Sequence, residues 1–259
     1  MGANAIGTQK YNVLVIIITD KQNAFDASGR KTYVNACEML GVVPVSYFMR
    51  HIEDEVVNLR HHGLGPHGAK AMSLPLVGNT SVLVLNLDDN WLGADGVVYI
   101  SEMLKENCYI ADLSLADNRI CSKGAQAIAE MLLINTTVKK LNLAGNMLQD
   151  KDAECLSQAI LGNTLLKEAN LSMNGFGAES SKAVAEIIRV NGTLRHLDVS
   201  NNRLPADGMG AIAKALDENE ILKVLKGLVN SATEEQFNML QEQFDSNAVT
   251  TVVLAQATC

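Results

Sequence analysis

LNLDDN (85–90), LSLADN (113–118), LNLAGN (141–146), ANLSMN (169–174) and LDVSNN (197–202) are five versions of one phrase. Their closing residues, Asn90, Asn118, Asn146, Asn174 and Asn202, are each separated by 28 positions. A second series, Asn79, Asn107, Asn135, Asn163, Asn191, Asn219 and Asn247, keeps the same step of 28. Two independent marks with one period define a repeat array, in which each copy is a unit too small to bury its own apolar face. Weaker copies extend it at both ends. Asn230 follows Leu225 but has Gly227 in the second leucine slot, and His62, preceded by Val57 and Leu59, takes the place of the closing Asn.

Each copy has two halves. The LxL half alternates apolar and polar residues, the period of a strand with one buried face. The other half has helical spacing: Ile100, Met103 and Leu104, then Ile128, Met131 and Leu132, then Ile212, Ala215 and Leu216. Gly68, Gly96, Gly124 and Gly208 are expected to mark the turn into the helix, and Thr233 with Gln236 forms a capping-box pair. The expected fold is an α/β solenoid with parallel strands on its concave face and helices on its convex face. Helices are wider than strands, so such a stack bends. The closing residues His62, Asn90, Asn118, Asn146, Asn174, Asn202 and Asn230 are expected to form a structural ladder. There, amide or imidazole groups satisfy backbone atoms that no regular pairing reaches.

Composition narrows the function. The chain has 259 residues, is 47% hydrophobic and 19% charged, and carries a net charge of -8. That charge argues against nucleic acid or an anionic membrane as the main partner and is compatible with a basic one. The five cysteines, Cys37, Cys108, Cys121, Cys155 and Cys259, form no CxxC pair, which suits a reducing, cytoplasmic setting. The run VLVIII (13–18) is too short to span a bilayer and lacks the flanks of a secretory leader.

The ends are less regular. Residues 1–29 contain YNVLVIIITD (11–20), which reads equally as a strand or as an unstructured apolar run. Residues 30–53 read as a helical N-terminal cap, with Tyr33, Cys37 and Leu40 on one face, Gly41 as a stop, and Phe48 and Ile52 on a second short helix. The array of about seven repeats fills 54–250, and 251–259 is a C-terminal tail. In that tail Val252, Val253 and Leu254 begin an eighth turn with an open edge. Pro75 lies in the first repeat helix and is expected to kink it or cut it short.

The pattern LxxLxLxxNxL, followed by a helix at a 28-residue period, resembles the ribonuclease-inhibitor-like class of leucine-rich repeats over roughly residues 54–250. YVNACEMLGVVPVSYFMRHI (33–52), VNLRHHGLGPHGAKA (57–71), DNWLGADG (89–96) and LKENCYIADL (104–113) further resemble the leucine-rich repeat-containing protein 74 family, in its A form. The resemblance implies a scaffold with no catalytic residues to carry over. The GTPase-activating protein of Ran uses the same repeat class, so it also raises a small-GTPase accessory as an alternative, beside a sensor-like fragment of a longer repeat protein. Both alternatives are analogies of fold.

No stretch carries chemistry of its own. His61, His62 and His67 lie close together, but their places in the repeat send them in different directions, short of the four ligands a structural zinc wants. No histidine takes a repeat position beside a cysteine, and no phosphate-binding glycine loop occurs. Neither a metal nor a cofactor is expected, and a monomer is the expected state. What remains is the concave face. Asp88, Asp89, Asp112 and Asp117 gather there around the second and third repeats, with Trp91, the single tryptophan, and Arg119 beside them. An exposed Trp next to charge is a recurrent interface anchor. The expectation is therefore a non-catalytic protein-interaction scaffold whose partner offers a basic segment.

Overall fold

The computed structural model describes residue 26, residues 28–229, positions 238 and 242, and residues 251–256. The apolar run at 11–20, the Thr233–Gln236 pair, Asn230 and Asn247 lie outside the described residues. Two helices open the described chain, α1 (Arg30–Leu40) and α2 (Ser46–His51). Strand and helix then alternate: β1 (Val56–Asn58), α3 (Gly65–Val77), β2 (Val84–Asn86), α4 (Gly93–Glu106), β3 (Asp112–Ser114), α5 (Cys121–Ile134), β4 (Lys140–Asn142) and α6 (Asp150–Gly162). The series continues with β5 (Glu168–Asn170), α7 (Ala178–Val190), β6 (His196–Asp198), α8 (Ala206–Asp217), β7 (Val224–Val229) and β8 (Thr251–Gln256). The strands form one parallel sheet in chain order. Such a sheet, with one helix returning the chain between each pair of strands, is a solenoid of α/β repeats.

Short alternating segments explain the strands. Each of β1 to β6 has three residues, and only the middle one is buried: Val57, Leu85, Leu113, Leu141, Ala169 and Leu197. These align in register from strand to strand, so the 28-residue step becomes one straight row of core side chains. The helices complete the core from behind with Ile100, Met103, Leu104, Ile128, Met131 and Leu132. At the far end the register shortens. Leu225 pairs with Val252, a step of 27, and Thr251–Gln256 forms the eighth strand of the sheet. It pairs in parallel with β7 over six residues, from Val224 with Thr251 to Val229 with Gln256.

The N-terminal cap is built on aromatic packing. Tyr33 on α1 meets Phe48 on α2 edge to face, with ring centroids 4.7 Å apart. The Tyr33 hydroxyl accepts the Val45 N–H at 3.1 Å, and burial pushes its phenol well above the usual range. Gly41 ends α1 at φ 66°, a left-handed stop.

Two local expectations need correction. Helix α3 is not cut at Pro75 but runs on to Val77. The proline falls in the last turn, where it removes one hydrogen bond and little helix remains to disturb, and its ring is buried against the cap near Gly29 and Ile52. The recurring glycines Gly68, Gly96, Gly124 and Gly208 lie inside the first turn of their helices, not before it. A Cβ at Gly96 would stand 3.2 Å from the Pro66 Cα of the preceding repeat, so this position lets neighbouring helices approach closely.

The loops between strand and helix come in two kinds. In the first three repeats the helix starts three residues after the closing residue, and backbone φ is positive one and three residues after it: Gly63 and Gly65, Trp91 and Gly93, Arg119 and Cys121. The N–H groups of Gly65, Gly93 and Cys121 donate forward to Asn90, Asn118 and Asn146 carbonyls. In the later repeats the helix starts four residues after, and the bonds run backward, Gly175 N–H to Leu148 and Arg203 N–H to Phe176. Met147, still at φ 60°, marks the changeover. Beyond it Asp150 caps the next helix, accepting Gly177 N–H at 2.7 Å and Ser180 N–H at 3.0 Å. Burial would push the Asp150 carboxyl up, but the hydrogen bonds from Ser180 and Gly177 hold it below the usual range.

Candidate functional site

The closing asparagines stand where the strand turns toward the helix. Asn118 is fully buried. Its Nδ2 donates to Leu87 O at 2.8 Å in the preceding repeat and to Ala116 O at 3.0 Å in its own. Its Oδ1 accepts the N–H groups of Asn90 and Leu92 at 3.0 and 3.3 Å. Asn90, Asn146, Asn174 and Asn202 repeat the scheme, each reaching a carbonyl 31 residues back. His62 departs from it. Its backbone N–H donates to Asn90 Oδ1, but the exposed imidazole reaches only Arg60 O of its own turn and leans on Tyr47 of α2. Among the described residues the helices that precede it, α1 and α2, belong to the cap rather than to a strand–helix repeat.

The second asparagine series has an equivalent task at the other end of the strands, one that spacing alone did not disclose. Asn107, Asn135, Asn163, Asn191 and Asn219 each donate to a helix carbonyl of the preceding repeat, at 2.5 to 2.8 Å. Each Oδ1 accepts two N–H groups from its own loop, as Asn107 does from Tyr109 and Ile110. Two ladders, one at each end of the sheet, thus satisfy the backbone that the three-residue strands leave unpaired.

The acidic group does not form one patch. Asp88 is buried and structural. In repeats with Asn58, Asn86, Asn142, Asn170 or Asp198, that side chain accepts the N–H two residues on. Ser114 stands at this position in the third repeat, and Asp88 from the repeat before accepts the Ala116 N–H at 2.8 Å instead, together with the Ser114 hydroxyl at 2.5 Å. Asp89 lies 2.6 Å from His61 Nδ1. Asp112 begins β3, whereas Asp117 follows its far end. The three-residue strand and the start of the turn lie between them.

What the fold does bring together is Trp91 and Arg119. Trp91 is 65% exposed, and the guanidinium carbon of Arg119, one repeat on, stands 5.0 Å from its ring centroid. Both residues hold positive φ, 57° and 55°, the same loop conformation in successive repeats, which sets their backbones side by side. Met147 and Met173, each 59% exposed, continue this rim along the next two repeats. Asp117 is exposed beside it.

The concave face behind the rim is a hollow of about 520 Å³, floored by β3 to β7. Its charges are largely matched within the chain: Lys140 with Glu168 at 2.9 Å, His196 with Glu168 at 3.4 Å, Lys226 with Asp198 at 3.8 Å. Burial, relieved by Lys140 but reinforced by Glu168, raises the Asp112 carboxyl. Elsewhere His51 pairs with Asp54, and His67 is exposed at the start of α3. Among the described residues no three His, Cys, Asp or Glu side chains converge as metal ligands would.

Residues 78–101, 106–129, 135–157 and 190–213 match the family model for the Leucine Rich repeat. These are leucine-rich repeats. The human leucine-rich repeat-containing protein 74B (Homo sapiens) is 44% identical over 50 residues, 19% of this chain and 13% of that protein. Its mouse (Mus musculus) counterpart is 43% identical over 47 residues, 18% of this chain and 12% of that protein. Both relatives are of the B form rather than the A form, and matches this short support leucine-rich repeats without a finer assignment. Among solved structures, leiomodin-1 actin-binding site 2 aligns with a TM-score of 0.49 at 20% identity, over 59% of this chain and 88% of that one. The tropomodulin C-terminal domain of Caenorhabditis elegans aligns at 0.44 and 16% identity, over 69% and 92%.

Proposed function

We propose that this leucine-rich repeat chain is a non-catalytic scaffold that holds a protein partner at the rim of its concave face, along the loops that carry Trp91, Arg119, Met147 and Met173. The observation that carries this reading is Trp91, a large indole left 65% exposed on a positive-φ loop and stacked by Arg119. An exposed aromatic already in contact with a neighbouring guanidinium suits an interface anchor, and Trp and Arg are enriched among residues that dominate interface energy. Asp117 and Asp89 beside it suit a basic residue in the partner, although Asp88 serves the fold and Asp112 stands apart. A cytoplasmic setting fits as well, since Cys37, Cys108, Cys121 and Cys155 are unbridged. Among the described residues no helix is long and apolar enough to cross a membrane.

The test uses the single tryptophan. Proteins captured from cells by the whole chain are titrated onto it while Trp91 emission is followed. A rim-bound partner shifts the emission, and Trp91→Ala weakens binding by about 2 kcal/mol, as a hot spot should. Unchanged emission together with unchanged affinity in Trp91→Ala places the interface elsewhere.

A further inference from the structure

The residue just before each strand is basic in four successive repeats: Lys139, Lys167, Arg195 and Lys223. The backbone places them side by side. Lys167 N–H donates to Lys139 O at 2.7 Å, Arg195 N–H to Lys167 O at 2.8 Å, and Lys223 N–H to Arg195 O at 2.7 Å. Neighbouring strands lie about 4.8 Å apart, so four cations line a ridge on the order of 14 Å long. Among the described residues none of the four is in an ion pair with a carboxylate, although Lys105, Lys123, Lys140, Lys182 and Lys226 all are. Among the described residues Lys223 Nζ donates to a backbone carbonyl, that of Glu220, at 3.0 Å. In-register like charges destabilise a sheet. In a chain of net charge -8, with carboxylates to spare, such a row is a cost to the fold that an anionic ligand would offset.

We infer that this ridge is a second interaction surface, at the end of the strands opposite Trp91, which takes an extended acidic segment of a partner protein. The shape chooses the occupant. A single file of cations matches one chain of carboxylates or phosphorylated side chains. A membrane surface would require a plane of positive charge, but Glu168 lies on the concave side of the row. Ile134 and Val190, 57% and 55% exposed, close α5 and α7 just before these loops and offer apolar contact alongside. The inference stands apart from the Trp91 reading, and either can fail alone.

Fluorescence anisotropy of a labelled octapeptide of alternating Glu and Leu tests it on the full chain, against the same peptide with Gln for Glu, a single-stranded oligonucleotide and vesicles containing phosphatidylserine. The acidic peptide is expected to bind, and to weaken as salt rises. Replacing Lys139, Lys167, Arg195 and Lys223 together by Gln should weaken it about tenfold or more. Replacing Lys123, Lys151, Lys182 and Lys214 on the convex helices, the same change in net charge, should not. Trp91→Ala should bind the peptide as the parent does. The exposed ridge variant should melt no lower than the parent, so loss of folding is separable from loss of binding. Equal binding of the Glu and Gln peptides, equal loss in the two quadruple variants, or ridge-dependent binding that favours the oligonucleotide or the vesicles would overturn the inference.

Discussion

Replacing Asn118 by Ala tests how the repeats are joined, because its bonds can be counted one at a time. The two carbonyls that it serves keep other donors: Leu87 O also takes Asn90 Nδ2 at 2.9 Å, and Ala116 O also takes Asp89 N–H at 2.9 Å. The two N–H groups, of Asn90 and Leu92, have no second acceptor among the described residues. Both are buried, and a stranded buried donor costs about 1–3 kcal/mol. The Leu92 bond is long at 3.3 Å, so its loss falls at the low end, and the pair sums to about 3 kcal/mol. Among the described residues Asn146 accepts one N–H, that of Asn118 at 2.8 Å, so Asn146→Ala should cost less, about 1–2 kcal/mol. Urea unfolding followed by circular dichroism, with slopes compared among parent and both variants, measures the difference. Equal costs, or a cost for Asn118→Ala below about 1 kcal/mol, would refute the count of stranded donors.

Three further perturbations follow from the same geometry. Cys121 holds φ 52° where the two preceding repeats carry Gly65 and Gly93, so Cys121→Gly should stabilise the fold by up to about 1 kcal/mol, seen as a raised melting temperature; a fall would show that the loop is not strained. Asp88→Ala should cost about 1–3 kcal/mol by stranding the Ala116 N–H, and an unchanged melting curve would return Asp88 to the surface acids. Burial, opposed by Lys140, raises the Asp112 carboxyl, so its favourable contribution is present at low pH and is lost as pH rises through its folded-state value. Asp112→Asn should therefore raise the melting temperature at pH 7 and not at pH 3; an equal effect at both would contradict the assignment.

The solenoid was readable because its signals are local and repeated: one apolar pair and one Asn per strand, one apolar face per helix, all on a 28-residue step. The candidate site was less so, because its logic crosses repeats. Asp88 looks like any surface acid until Ser114, 26 residues on, is seen to be too short for its post. Asp112 and Asp117 are neighbours in the chain but sit at opposite ends of a strand. His62 occupies a ladder position in the count, but its imidazole turns to Arg60 O and to Tyr47 of the cap instead. Trp91 and Arg119 could be ranked as candidates from their residue types and shared repeat position, but the stack needed the loop conformation. The basic row repeats at the same spacing as the asparagines, one residue before the strand and so outside the concave rows that carry the acidic candidates.

The change of loop type at Met147 divides the array into two dialects. A copied 28-residue unit inserted among the first three repeats must send its loop N–H forward, while one inserted among the later repeats must receive a bond from behind. Duplication within either block keeps the direction of these loop bonds at its borders, whereas a unit moved across the divide meets a neighbour facing the wrong way. Growth by tandem copying is therefore open on both sides of Met147, and the divide itself is the place where the array resists being lengthened.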